Sequence, residues 1–189
     1  MNRSASLLLL VVLLGSSVTI GAPQKKQPPQ RYVDKGACPF ECCTYRGWTT
    51  ESTTIAYERP DLNSRKVGRF KAGSKVFGLT GRVITTTPGK FVVTKDHGKY
   101  KRGDVLWVYT PLGEGFYKVW FKGKMYDQGL DVINGPFEQT IPPCDENPSC
   151  WGTLKRSLKL TWWVKVRSAE GWVGWTDKPE NFGNKDACG

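Results

Sequence analysis

The sequence predicts an all-β fold, and three observations carry that prediction. Of 189 residues, 21 are Gly and 12 are Pro, residues that break helices and punctuate chains of short strands. β-Branched and aromatic residues gather in short runs bounded by such turns, the spacing of a small barrel or sandwich. Hydrophobic residues make up 39% of the chain and aromatic residues 12%, with eight Trp, which supplies a core and excludes a disordered chain.

The elements follow in order. Met1-Asn2-Arg3, the apolar run Leu7 to Leu14 and Ile20-Gly21-Ala22 have the plan of a signal peptide over residues 1–22. Gly15-Ser16-Ser17 interrupts the run short of the ~20 apolar residues that cross a bilayer, so no membrane span is expected. The expected location is secreted or periplasmic. Residues 23–37 are polar and Pro-rich and read as a flexible tether. Ordered structure is expected over 38–189, with possible subunits 48–130 and 131–188.

Thr53 to Tyr57 is a candidate strand, ended by the loop at Arg59-Pro60-Asp61. Val83 to Thr86 and Phe91 to Thr94 flank Thr87-Pro88-Gly89-Lys90 as a hairpin would. Val105 to Thr110 and Phe116 to Phe121 flank Pro111 to Gly115 in the same way. Trp162 to Arg167 and Trp172 to Trp175 are joined by Ser168-Ala169-Glu170-Gly171. In that last pair Trp163, Lys165 and Arg167 face one way and Trp162, Val164 and Val166 the other. Weak helical periodicity from Cys150 to Leu160 predicts one short helix.

Six cysteines (Cys38, Cys42, Cys43, Cys144, Cys150 and Cys188) in an exported chain imply up to three disulfides. The short turn-rich loop between them favours Cys144–Cys150, and Cys188 then reaches back to the Cys38/Cys42/Cys43 cluster. A zinc site is disfavoured, because no C-x2-C pair exists and the one His is remote. No metal and no cofactor are implied.

The formal net charge is +11, and residues 62–124 hold 14 Lys and Arg against 3 Asp and Glu. The bland reading is the solvated face of a basic protein. The functional one is a surface that attracts anionic partners through a field that fades with salt. The basic members are Arg65, Lys66, Arg69, Lys71, Lys75, Lys99, Lys101 and Arg102. Tyr57, Trp107, Tyr109 and Tyr117 sit on predicted strand or loop edges where they could define a ligand's fit, whereas Trp163 and Trp175 are expected in the core.

Two stretches resemble the bacterial SH3-like (SH3b) domains of exported proteins. Tyr57 to Val76 is similar to the family's opening loop after Arg59, its turn at Val67-Gly68 and its strand entry at Lys71-Ala72-Gly73-Ser74-Lys75-Val76. Trp163-Val164-Lys165-Val166-Arg167 with Glu170-Gly171-Trp172-Val173-Gly174-Trp175 resembles its closing hairpin. Residues 77–162 separate the two where the family has a short connection. Within them, Lys101-Arg102-Gly103-Asp104-Val105 echoes the strand entry, and Gly115 to Trp120 echoes the closing strand. The chain is therefore expected to hold either two degenerate SH3-like units packed together or one barrel with a large insertion. With its Cys-Pro-Phe-Glu-Cys-Cys opening and Asp186-Ala187-Cys188-Gly189 end, the whole is identified as a member of an exported SH3-like subfamily. The resemblance implies a binding module for cell-envelope peptides or glycans, or for a partner protein.

Catalytic chemistry is poorly supplied. His97 lies in a turn-like context, the expected disulfides leave no thiol nucleophile, and no phosphate-binding Gly loop appears. Paired-carboxylate hydrolysis needs two acids ~5–10 Å apart across a cleft. Asp127, Asp131, Glu138, Asp145 and Glu146 show no such spacing signature, and Asp96 and Asp104 adjoin Lys and Arg. Arg102-Gly103-Asp104 spells an adhesion tripeptide but is ordinary turn chemistry before a strand. The expected function is a non-catalytic exported protein that binds an envelope peptide, glycan or anionic polymer. The alternatives are an accessory subunit for one protein partner and a hydrolase with an unrecognised acid pair. Export and unspecific charge argue against nucleic acid.

Overall fold

The computed structural model describes residues 27–130 and 150–188, and among these it contains thirteen strands and one 3₁₀ turn, Pro179–Asn181. In chain order the strands are β1 (Tyr32–Lys35), β2 (Gly47–Thr50), β3 (Thr54–Tyr57), β4 (Lys66–Phe70), β5 (Lys75–Thr87), β6 (Gly89–Val93) and β7 (Val105–Gly113). They continue with β8 (Phe116–Phe121), β9 (Lys124–Gly129), β10 (Gly152–Arg156), β11 (Lys159–Arg167), β12 (Val173–Thr176) and β13 (Phe182–Gly183). The fold is all-β, as the composition predicts.

Two antiparallel sheets form. The first has the order β13-β2-β5-β11-β12-β3-β4, with β1 pairing the far half of β5 beyond β2. The second has the order β10-β6-β7-β8-β9. All strands of the second sheet lie in sequence between β5 and β11, so the sheet boundary falls at Pro88 and Ser157-Leu158 rather than near residue 130. The second sheet is an insertion within the first. β5 runs through Pro88 into β6, while β10 runs through Ser157-Leu158 into β11. Because β5 pairs β11 and β6 pairs β10, a two-stranded ribbon connects the sheets.

Each sheet packs a core of its own. Trp48, Phe70, Val76, Val164, Val166 and Phe182 fill the inside of the first sheet. Trp48 lies over Gly78, where a Cβ would stand 2.6 Å from the indole, so that close approach requires glycine. Phe91, Leu106, Val108, Tyr117, Val119 and Trp151 fill the second. The two hairpins predicted at Pro111 to Gly115 and Ser168 to Gly171 are present as β7–β8 and β11–β12.

Three expectations are corrected. The segment expected as a tether contains β1, which pairs with β5 from Tyr32 opposite Thr85 to Lys35 opposite Arg82. Val83 to Thr86 and Phe91 to Thr94 do not form a hairpin, because the single residue Pro88 cannot reverse the chain and instead passes it extended into the other sheet. The short helix expected at Cys150 to Leu160 is β10 and the start of β11. Gly152, buried against the Phe91 ring, and Leu154, opposite Phe91, dock that segment on the second core.

Two disulfides are formed among the described residues, Cys38–Cys43 and Cys42–Cys188, with Cα atoms 5.5 and 5.6 Å apart. Cys188 thus reaches back to the cysteine cluster as expected. Beside it, the Arg46 guanidinium donates to Asn184 Oδ1 at 2.7 Å and to the Asp186 carbonyl, fastening the tail to the start of β2. Cys150 is disulfide-bonded; Cys144, and with it the favoured Cys144–Cys150 pair, lies outside the described residues, as do residues 1–22, expected as a signal peptide, and Asp131, Glu138, Asp145 and Glu146.

β1 also joins the sheets. Tyr109 of β7 donates to the Pro29 carbonyl at 2.9 Å and packs on Tyr32 with ring centroids 5.2 Å apart. Asp34 is half-buried in this contact, and burial raises its pKa above the ordinary 3.8 despite the nearby Lys118 ammonium. The folded state therefore holds this proton more tightly than the unfolded chain, so Asp34 costs stability as pH rises from about 4 through its raised pKa. In urea titrations the midpoint of Asp34→Asn relative to the parent is expected to increase from about pH 3 to about pH 6. A difference that stays constant across that range would remove Asp34 as the cause.

Candidate functional site

Residues directly opposite one another in antiparallel strands share a face. On the outer face of the first sheet, Lys35, Arg82 and Trp163 lie in one row across β1, β5 and β11. Thr80, Lys165, Trp175, Tyr57 and Lys66 form the next across β5, β11, β12, β3 and β4. Phe77, Arg167 and Val173 make a third, while Arg69 stands opposite Ile55 and Lys75 opposite Thr49. The described strand positions of this face thus carry seven cations (Lys35, Lys66, Arg69, Lys75, Arg82, Lys165 and Arg167) and no Asp or Glu. None of the seven is in an ion pair among the described residues.

Aromatic rings form the floor under these charges. Tyr57, Ile84, Trp163 and Trp175 make a buried cluster, with Tyr57 edge-on to Trp163 at 5.9 Å. The Arg82 guanidinium lies 4.8 Å over the Trp175 ring with Lys165 at 5.9 Å, and Arg167 lies 5.3 Å over Phe77. Such contacts hold a cation in place and contribute about 0.5–1 kcal/mol each at exposed sites. Because Trp163 and Trp175 are buried, an approaching ligand meets the cations rather than ring faces; Phe77 and Val173 are the exposed apolar residues among them.

The sequence-based candidates divide. Lys66, Arg69 and Lys75 lie on the face, and Lys71 lies in the turn after β4. Arg65 adjoins it but pairs with Glu58 at 3.0 Å, which holds that carboxyl below the ordinary range. Lys99, Lys101 and Arg102 belong to the β6–β7 connection of the other sheet. There Asp96 pairs with Lys101 and accepts from the Arg102 backbone, and Asp104 accepts from the Lys101 backbone and pairs with Lys122. These contacts hold both carboxyls below the usual range and offset the local charge. Arg102-Gly103-Asp104 is accordingly a turn, with Gly103 at φ 91°.

The aromatic candidates are corrected. Tyr57, Tyr109 and Tyr117 are core residues, 9%, 0% and 3% exposed, because the strand ends that expose them in sequence are covered by neighbouring strands and by β1. Only Trp107 is half-exposed, on the second sheet, with Arg156 5.1 Å over its ring. Trp163 and Trp175 are buried as expected, in the cluster on the outer face of the first sheet. Sequence reasoning missed Lys35, Arg82, Lys165 and Arg167; the alternation Trp163, Lys165, Arg167 was the signal for two of them.

Other groupings fit an anion poorly. A cleft of about 640 Å³ between the Cys38–Cys43 loop and the β7–β8 turn is lined by Glu41, Glu114 and Asp127. Another of about 650 Å³, at the β3 edge of the basic face where Ile55 and Tyr57 lie, is lined by Asp177 and Glu180 with Lys178 between them in sequence. Asp127 is an exposed partner of Lys118 at 2.9 Å, and His97 stacks on Trp151 at 4.4 Å on an exposed turn. Cys42, Cys188 and Asp186 lie within ligand distance of one another, but both sulfurs are joined in the disulfide.

No protein-family model, curated protein or solved structure matches the chain.

Proposed function

We propose that this is a non-catalytic, exported, SH3-like binding protein whose first sheet takes an anionic envelope polymer on its outer face. The observation that carries the reading is the row structure of that face: seven cations and no acid at its described strand positions, and no ion pair to neutralise those cations among the described residues. Like charges held this close repel one another, and a polyanion relieves that repulsion while releasing its counterions. The β5–β11 pair spaces successive outward side chains by about 6.6 Å, which suits a linear polymer lying along the strands. The burial of Tyr57, Tyr109 and Tyr117 speaks against an aromatic groove for Pro-rich peptides.

The purified protein is expected to be retained on an immobilised acidic polysaccharide at about 0.02 M salt. It should be released by about 0.5 M, where screening acts within a few ångströms. Passage through the column at low salt would overturn the proposal.

A further inference from the structure

A notch opens where the basic face ends, between the turn after β4 and the β11–β12 turn. It encloses about 220 Å³ and is lined by Arg69, Lys71, Ser74, Ser168, Glu170 and Trp172 among others. Arg69 belongs both to the notch and, opposite Ile55, to the basic face, so the two surfaces are continuous. The Trp172 ring is backed by Phe70, stacked at 4.7 Å and 19°, which makes it a flat, supported wall. Gly68 lies under the same indole, where a Cβ would stand 2.9 Å from it.

The notch is electrostatically two-sided. Arg69 and Lys71 lie on the β4 side, and Glu170 on the other. The Glu170 carboxyl is held below its ordinary range by the Ser168 hydroxyl first and by Lys71 among the lesser causes, so it is an anion at neutral pH. A ligand that is only an anion meets attraction on one side and repulsion on the other. A unit bearing a carboxylate and neighbouring hydroxyls satisfies both, with the acid on Arg69 and Lys71 and the hydroxyls donating to Glu170. The apolar face of a sugar ring suits the Trp172 wall. At about 220 Å³ the space is below the ~300–1,000 Å³ of clefts that enclose drug-sized ligands, enough for one ring and too small for a folded peptide segment.

From this we infer that the polymer is an acidic glycan and that the notch receives one of its uronic-acid units. The inference rests on the basic-face proposal and names its ligand. Glu170→Gln provides the test, because the exposed turn tolerates it and it raises the net charge by one. A polyphosphate, being charge without hydroxyls, should then bind as well as before or better. A hexamer of galacturonic acid should bind about 5- to 50-fold more weakly, having lost its charged acceptor.

Calorimetric titration of both probes at low salt, with the parent and Glu170→Gln, reads this directly. Selective weakening of the galacturonate hexamer is the expected result. Any other pattern in which a probe binds overturns the acidic-glycan assignment and leaves the basic face standing. Binding of neither probe to the parent overturns both.

Discussion

Replacing Cys42 and Cys188 together by serine is expected to destabilise the protein by about 5 kcal/mol, the chain-entropy value for a loop of this length. The bond closes 146 residues of separation, and it holds a terminal segment with little core of its own. β13 contributes Phe182 to the first core, but it is only two residues long and pairs just with β2. Asp186 bridges to Cys43, and Arg46 holds Asn184, so losing the disulfide exposes a small local network to fraying. Denaturant unfolding of the double serine variant should show a lower midpoint, with loss concentrated at β2 and β13 by hydrogen exchange. The Cys38–Cys43 bond closes a separation of only five residues, so its replacement by serines should cost less. Equal losses from the two pairs would contradict this.

The second large effect concerns binding. Substituting Gln for Lys35, Arg82, Lys165 and Arg167 together should weaken polyanion affinity by about three orders of magnitude at low salt, taking ~1 kcal/mol for each cation near an anionic surface. The fold should survive, because the lost contacts over Trp175 and Phe77 are worth about 0.5–1 kcal/mol each and the core beneath is unaltered. Substituting Gln for Lys95, Lys99, Lys101 and Arg102 changes the net charge equally. That variant should lose less than about tenfold, since Asp96 and Asp104 already offset those cations and only long-range steering is removed. Equal losses would mean that total charge, and not the face, governs binding.

Local signals made much of the fold legible. The β7–β8 and β11–β12 hairpins were marked by strand runs around Gly-bearing turns, and their alternation separated Val164 and Val166 from Lys165 and Arg167. Segments whose pairing is decided at a distance were not legible. Pro88 resembles a hairpin turn in sequence, yet the partners that decide the matter, β11 and β10, begin over sixty residues later. The strand β1 has no periodic apolar pattern to announce it, because it serves as a joint between two sheets. The charge block was visible as a count, but its division was not. A strand register puts Lys35 of the presumed tether beside Arg82, and it sends Lys99, Lys101 and Arg102 to the other sheet. Burial of Tyr57, Tyr109 and Tyr117 depends on those same distant pairings.

If the polymer lies on the outer face of the first sheet, as proposed, lysine footprinting should outline that face. The protein would be acetylated at low reagent concentration with and without a bound acidic oligosaccharide, and each lysine followed by mass spectrometry. Protection is predicted at Lys35, Lys66, Lys75 and Lys165, with Lys95, Lys99, Lys101 and Lys124 reacting as before. Protection of the second set without the first, or no change at any lysine while the ligand is bound, would mean that the polymer does not lie on this face.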